Sequence, residues 1–235
     1  MFKFEKLVFG DLGWGDEFLF ATLMTIIVSI LSMGLGLCLA IVTVWAKLIT
    51  NKITRLIANF YTTVVRGVPE LLVIYLIFFG GNTVVMSIAK LFGYNGYIEL
   101  NALTIGTIAI AFISATYSSE VLRAAYLSVS KGQLEAARAL GMNKFSIFIK
   151  VISPQVIRYA LPGIGNVWQI TLKDTSLISV TGLVEIMRQS RISSNVEHSP
   201  LTFLITAAVL YLCLTTFSGR FFKYLEINYS KGYST

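Results

Sequence analysis

The chain has few charged residues and very few cysteines, prolines and histidines. Only 13% of its 235 residues are Asp, Glu, Lys or Arg, and it contains 2 Cys, 4 Pro and 1 His. Soluble domains carry about 25% charged residues, so this composition excludes an ordinary soluble fold. With a single histidine and no H-E-x-x-H pair, we expect no metal site and no metal-dependent catalysis.

Apolar residues take the place of the charged ones. They make up 55% of the chain, and the mean hydropathy is +0.74. A membrane-spanning helix needs about 20 mostly apolar residues. The sequence predicts an all-α integral membrane protein with a single domain, 1–235, and about five spans, at 18–46, 57–82, 102–127, 155–180 and 201–222.

The net charge of +7 comes from basic residues that are dispersed along the chain. Such a balance is typical of the cytoplasmic loops of membrane proteins, and we expect no nucleic-acid partner. Basic residues follow the first and last spans: Lys47, Lys52, Arg55, Arg220, Lys223 and Lys231. The positive-inside rule therefore places the N-terminus outside and the C-terminus inside. Acidic residues precede the first span, where a signal peptide would carry positive charge: Asp11, Asp16 and Glu17.

Small residues mark the first span. Ser32, Gly36 and Ala40 recur every four residues, which allows a neighbouring helix to approach closely. Cys38 and Cys213 both lie in apolar runs, and we expect them to be small buried residues without a disulfide.

The second span contains Arg66-Gly67-Val68-Pro69-Glu70. Pro69 lacks an amide proton and must disturb the helix here. We therefore expect the local backbone to contact protein or water and not lipid. Arg66 and Glu70, at i and i+4, favour an internal salt bridge. The alternative is that Glu70 gives a substrate path negative charge that suits a cation. Glu120 and Arg123, at i and i+3, leave the same two interpretations.

The fourth span carries four polar residues within nine positions: Asn166, Gln169, Lys173 and Asp174. The first three share one helical face, which would be costly against lipid. We expect a helix break at Pro162-Gly163-x-Gly165, just before them. These residues either line a substrate path, or Lys173 and Asp174 pair with other subunits or mark the outer membrane boundary.

Two connections are expected on the outer side of the membrane. Residues 81–101 include the turn signal Gly93-Tyr94-Asn95-Gly96. Residues 181–200 are polar and contain Glu185, Arg188, Arg191 and His198.

No Gly-Lys pair occurs in the chain, so the phosphate-binding loop G-x-x-x-x-G-K-[ST] is missing. A G-x-S-x-G nucleophile elbow is missing as well. The chain is therefore expected to be non-catalytic, with energy supplied by a partner or by an ion gradient. A proton-coupled secondary transporter using Glu70, Glu120 or Asp174 is the alternative function.

The segment Lys131–Pro154 is too charged to lie in the bilayer. Its charged residues are Lys131, Glu135, Arg138, Lys144 and Lys150. Apolar residues recur at helical spacing among them: Leu134, Ala137, Leu140, Phe145 and Phe148. This pattern predicts a short cytoplasmic helix against a partner surface.

Within that segment, Glu135-Ala136-Ala137, Gly141, Ile152 and Pro154 resemble the EAA loop of ABC importer permease subunits. Ser153 stands where that pattern usually has Leu. KGQLEAARALGM, RGVPELL and LKDTSLISV are similar to the polar amino acid uptake branch, and YALPGIGN with Trp168-Gln169 to its histidine, lysine/arginine/ornithine and octopine/nopaline permeases.

The resemblance implies a type I ABC importer permease of the bacterial inner membrane, importing a basic amino acid or an opine. It implies an ATPase dimer holding ATP and Mg, a second related permease in a heterodimer, and a periplasmic solute-binding protein. The coupling loop would be 131–150, with ATPase-coupling residues Lys131, Gly132, Glu135, Ala136, Ala137, Leu140 and Gly141. Glu135 would cap the coupling helix, and Gly141 would allow the sharp turn after it. The expected substrate path is Glu70, Glu120, Asn166, Gln169, Lys173 and Asp174.

Overall fold

The structure, a computed structural model, describes residues 4–11, 13–94, 96 and 101–230. In these ranges the α-helices are α1 Gly15–Leu48, α2 Lys52–Gly67, α3 Glu70–Leu91, α4 Ala102–Leu127, α5 Lys131–Ala139, α6 Lys144–Ile147, α7 Ser153–Asp174, α8 Ile186–Glu197 and α9 Pro200–Ser230. Short 3-10 helices cover Phe4–Leu7 and Thr175–Thr181, and a π-helical turn covers Phe148–Ile152. Five stretches are long and apolar enough to span a membrane: α1, α3, α4, Lys144–Thr181 and α9. The all-α class with five spans is confirmed.

The bundle is centred on α4, which packs along α1. The stripe of Ser32, Gly36 and Ala40 is buried against it, and the Ser32 hydroxyl donates to the Thr107 carbonyl at 3.1 Å. A side chain at Gly36 would meet the Ser114 hydroxyl of α4. Small residues therefore bring these two helices close together, as the sequence predicts.

The predicted second span, 57–82, is two helices and not one. α2 ends at Gly67 and α3 begins at Glu70. Val68, the residue before the proline, is extended, with φ −106° and ψ 142°. The proline ring disfavours helical backbone at the preceding residue, which explains the break. The disturbance expected at Pro69 is confirmed, while the spanning helix is α3, 70–91.

The connection expected at 81–101 begins later than predicted, because α3 continues to Leu91. Gly93 then turns the chain with φ +82°, and the Gly93 amide donates to the Lys90 carbonyl at 3.0 Å. Asn95, part of the predicted turn, lies outside the described residues.

The break predicted at Pro162 is wrong, because α7 runs without interruption from Ser153 to Asp174. The two glycines that suggested a break serve helix packing instead. A Cβ at Gly163 would lie 2.6 Å from Val121 Cγ1 of α4, and one at Gly165 would lie 3.1 Å from the Phe222 ring of α9. Spanning helices tolerate an internal proline when neighbouring helices pack around it.

Residues 181–200, expected as a polar connection, contain the amphipathic helix α8. It packs against α9 and α1, and Ile186, Gln189, Ser190 and Ser193 are buried. Cys38 and Cys213 are free thiols, but both are exposed on the bundle surface, so the prediction that they are buried is wrong. Their apolar neighbours in sequence indicate a span, and a span has a lipid-facing side as well as a packed one.

Candidate functional site

The break between α2 and α3 brings charged side chains together beside α4. Tyr117, on α4, donates from its hydroxyl to Glu70 Oε1 at 3.0 Å. The Arg66 guanidinium lies 5.4 Å from the centroid of the same ring. This is a cation–π distance, so one tyrosine contacts the residues on both sides of the break.

The salt bridge expected between Arg66 and Glu70 is not among the ion pairs of the described residues. The i, i+4 spacing brings two side chains together only on a continuous helix. Here Arg66 lies in the last turn of α2 and Glu70 in the first turn of α3. The guanidinium therefore stays exposed beside the aromatic ring.

Asp174, the last residue of α7, is buried and lies beside Glu70. Its side chain is 8% exposed, and its carboxyl lies within hydrogen-bonding reach of the Glu70 carboxyl. Two predicted path residues that are 104 positions apart in sequence, 70 and 174, are thus in contact. An acid pair at this depth favours a cationic group between or beside the carboxyls.

A polar cavity of about 460 Å³ adjoins this cluster between α1, α2 and α4. Lys47, Arg66, Tyr117 and Glu120 contribute to its walls, together with Asn59, Thr62, Thr63 and Gly67 of α2. Its volume falls within the range of about 300–1,000 Å³ that is common for small-molecule sites.

Glu120 forms the salt bridge with Arg123 that its spacing predicts, at 2.9 Å. It also pairs with Lys47, whose side chain is only 4% exposed and which donates to the Thr62 hydroxyl at 2.7 Å. Glu120 therefore joins α4 to α1 through Lys47, and Lys47 joins α1 to α2 through Thr62, at the wall of the cavity.

The other path residues predicted on α7 separate into two groups. Gln169 contacts α9, because its amide donates to the Thr215 carbonyl at 3.1 Å and to the Ser218 hydroxyl at 3.2 Å. Asn166 and Lys173 are exposed on the surface of the chain. Two exposed polar residues on a spanning helix require water or a protein partner at this face.

The predicted coupling segment folds as a helix and a tight turn. α5 ends at Ala139, and Gly141 has φ +73°. The Gly141 amide donates to the Arg138 carbonyl at 2.9 Å, and the Met142 amide to the Ala137 carbonyl at 3.1 Å. These bonds close the helix through a left-handed glycine, so the turn expected at Gly141 is present.

The predicted coupling segment exposes large apolar side chains on both sides of the turn at Gly141. Leu140 is 82% exposed and Phe145 is 73% exposed, whereas Ala137 is buried. Lys131, Gly132 and Ala136 are exposed. Glu135 is exposed as well, but it lies in the middle of α5 and does not cap it, since Ser130 is the N-cap residue. The capping role expected for Glu135 is wrong.

Glu185, expected in a polar connection, is fully buried. Its carboxylate accepts from the Arg188 amide at 2.7 Å, the Met187 amide at 2.9 Å and the Tyr211 hydroxyl at 2.7 Å. Burial raises the pKa of Glu185, while these hydrogen bonds oppose the shift. The carboxylate thus caps α8 and fixes it to α9.

Sequence reasoning missed Tyr117, Lys47 and the burial of Glu185. The usual N-cap residues are Ser, Thr, Asp and Asn, so the glutamate at 185 was only a weak signal for a cap. Tyr117 carried no such signal, because its partners lie 47 and 51 residues earlier, at 70 and 66.

Similar sequences extend over nearly the whole chain. The chain is 49% identical to the nopaline transport system permease NocQ of Agrobacterium fabrum, over 94% of each chain. It is 43% identical to the octopine permease OccQ of Rhizobium radiobacter, covering 97% of this chain and 96% of that one. The histidine/lysine/arginine/ornithine permease HisQ of Escherichia coli is 35% identical, with 94% and 96% covered.

Two solved structures are similar in fold. A crystal structure of an amino acid ABC transporter with histidines matches with a TM-score of 0.78 at 29% identity, covering 92% of this chain and 95% of that one. The MetNI methionine ABC transporter in an inward-facing conformation matches with a TM-score of 0.65 at 14% identity, covering 90% and 93%. The second match carries the fold alone.

The family model described as "Binding-protein-dependent transport system inner membrane component" matches residues 32–230. These matches give no support to a proton-coupled secondary transporter. The chain belongs to the family of binding-protein-dependent transport system inner membrane components, and it is a multi-pass permease subunit of an ABC importer in a bacterial inner membrane.

Proposed function

We propose that this permease subunit imports a basic amino acid or an opine and that Glu70 and Asp174 hold the cationic group of the substrate. The contact between these two carboxyls at the α2–α3 break is the observation that carries the proposal. The relatives named for nopaline, octopine and basic amino acids support the same class of substrate.

Arg66 gives this site its second recognition element. Its guanidinium is exposed at the wall of the polar cavity and rests on the Tyr117 ring. A guanidinium binds a carboxylate through two parallel hydrogen bonds. Amino acids and opines carry a carboxylate and, in the basic members, a guanidinium or an ammonium group. Arg66 would take the first, and the acid pair would take the second.

Energy would come from a separate ATPase dimer that binds ATP and Mg. We assign its docking surface to 131–150, with Lys131, Gly132, Glu135, Ala136, Ala137, Leu140 and Gly141 at or beside the contact. The large exposed fractions of Leu140 and Phe145 support this, because an apolar surface outside the spans requires a partner. In this arrangement the segment is cytoplasmic, the N-terminus is outside and the C-terminus is inside.

Two further partners complete the proposed importer. A second related permease would cover the exposed Asn166 and Lys173 of α7, so that these residues face a shared path between two subunits. A periplasmic solute-binding protein would deliver the substrate to the opposite end of the bundle from α5.

Binding of labelled arginine to the purified permease–ATPase complex, without the solute-binding protein, tests the site directly. Glu70→Gln and Asp174→Asn are each expected to weaken binding about tenfold or more, since a hydrogen bond to a charged group contributes about 1.5–3 kcal/mol. Glu226→Gln on α9, whose carboxylate pairs with Lys223 at 3.3 Å, is the matched control. Unchanged arginine affinity in both site variants would show that the acid pair is structural.

A further inference from the structure

An apolar groove lies between the ends of α1, α4 and α7, apart from the polar cavity. Its volume is about 550 Å³. Its walls include Trp45 and Leu48 of α1, Tyr126 of α4, Phe148 and Ile152 of the π-helical turn, and Ile157 of α7. This volume is in the range of about 300–1,000 Å³ seen for ligand sites.

The walls of the groove are large apolar side chains that this chain leaves uncovered. Trp45 is 63% exposed, Phe148 54% and Ile157 47%. All three lie in helical stretches that are long and apolar enough to span a membrane. The material that fills the groove must therefore be apolar along its length.

Two of the three chain segments that border the groove carry only positive charge, whereas the third, on α4, carries both Glu120 and Arg123 beside its wall residue Leu122. Residues 46–60 contain Lys47, Lys52 and Arg55 and no Asp or Glu, and residues 141–160 contain Lys144, Lys150 and Arg158 and no Asp or Glu. Lys47 is paired with Glu120 and Arg158 stacks on Tyr159, whereas Lys52, Arg55, Lys144 and Lys150 are exposed. The four exposed basic residues lie next to the groove in sequence: Lys52 and Arg55 at the start of α2, Lys144 at the start of α6 and Lys150 in the π-helical turn.

We propose that this groove binds an acidic phospholipid. One acyl chain lies against the apolar walls, and the phosphate lies near the exposed lysines of the bordering segments. Charge complementarity selects an acidic lipid over a zwitterionic one, because a basic residue near an anionic headgroup contributes about 1 kcal/mol, or about fivefold in relative affinity. The π-helical turn joins the coupling segment to α7, so a bound lipid supports the joint between them.

Trp45 provides the probe for a test. The full-length chain, assembled with its transporter partners, is reconstituted into vesicles of a zwitterionic phospholipid. Two sets of vesicles are compared at equal mole fractions of brominated lipid. One set contains an acidic phospholipid with brominated acyl chains, and the other contains a zwitterionic phospholipid with brominated acyl chains. Bromine quenches tryptophan fluorescence on contact. Quenching that disappears in Trp45→Phe reports the groove alone. We expect the acidic lipid to quench Trp45 at a lower mole fraction than the zwitterionic lipid.

Two kinds of variant separate a selective site from ordinary lipid contact. Lys144→Gln with Lys150→Gln is expected to lower the preference for the acidic lipid about fivefold or more. Lys90→Gln, at the far end of α3, should leave it unchanged. Ser153→Phe places a ring in the groove and should remove the quenching of Trp45.

Two outcomes would overturn the proposal. Equal quenching by both brominated lipids would mean ordinary contact with bulk lipid. No quenching of Trp45 by either lipid would mean that a protein partner covers the groove. If Ser153→Phe or the lysine variant fails to assemble, Lys52→Gln with Arg55→Gln still decides, since both residues are exposed and lie outside the proposed docking segment 131–150.

Discussion

The Tyr117 hydroxyl and Glu70 Oε1 form a 3.0 Å hydrogen bond that joins α4 to the first residue of α3. The ring of the same tyrosine supports Arg66 at the end of α2. One residue of a continuous helix thus positions opposite charges on the two sides of a helix break. This arrangement explains why Arg66 and Glu70, although close in sequence, do not pair with each other and are both available to a ligand.

Tyr117→Phe is expected to weaken arginine binding, because Glu70 loses the donor that orients its carboxylate. A partly buried carboxylate left without a donor costs about 1–3 kcal/mol, which corresponds to roughly five- to 150-fold in affinity. Tyr61→Phe is the control, since the Tyr61 hydroxyl donates to the Phe112 carbonyl at 2.6 Å within the bundle. Equal affinity in both variants would argue against a positioning role for Tyr117.

Gly141→Val is expected to reduce ATP-dependent uptake while leaving the amount of protein in the membrane unchanged. Gly141 has φ +73° and no neighbouring atom within 4 Å of an added Cβ, so the cost is backbone strain of about 1–2 kcal/mol and not a clash. Gly141→Asn should restore uptake, because asparagine tolerates this conformation.

Gly80→Ala is the control for Gly141→Val, because Gly80 lies inside α3, outside the proposed docking surface, and nothing lies within 4 Å of an added Cβ there. It should leave uptake unchanged. Full uptake in Gly141→Val would show that the turn after α5 does not matter for coupling.

Gly163→Ala is expected to lower the free energy of unfolding of the purified protein by about 1–3 kcal/mol, and with it the melting midpoint, since the added Cβ would overlap Val121 of α4. Val121→Ala in the same chain should recover most of the loss by making room. Gly34→Ala, where nothing lies within 4 Å, should not destabilise the protein. Identical melting midpoints for Gly163→Ala and Gly34→Ala would contradict the close approach of α7 to α4.

Glu185 is expected to make stability depend on pH. Because burial raises the pKa of Glu185, the folded state holds its proton more tightly than the unfolded state does. The contribution of Glu185 to the free energy of unfolding is fully present below the pKa of about 4.3 that the group has in the unfolded chain. It is lost as the pH rises from there through the pKa of the folded state. Glu185→Gln removes the titrating group. The melting midpoint of this variant should therefore fall less than that of the wild-type protein over the same pH interval.

The exposed Glu17→Gln is the control for Glu185, because it changes the net charge equally. Melting midpoints measured from pH 4 upward would compare the three proteins. A wild-type slope no steeper than that of Glu185→Gln would exclude the burial effect.

Much of the fold could be predicted from the sequence because spans and packing stripes are local patterns. The third span, 102–127, coincides with α4, and the stripe of Ser32, Gly36 and Ala40 faces that helix. The turn at Gly141 was also predictable, since a glycine after a short helix closes it through local hydrogen bonds. Each of these depends on residues within one or two turns of the chain.

The sequence by itself determined that this is a helical membrane protein with a charged amphipathic segment between its spans, because hydropathy and charge act on each segment separately. Only the tertiary structure decided that Asp174 meets Glu70, that Tyr117 contacts both sides of the α2–α3 break, and that α7 continues through Pro162. These features depend on helices that are far apart in sequence. Whether a polar or small residue breaks a helix, lines a site or fills a contact is set by the neighbour that packs against it.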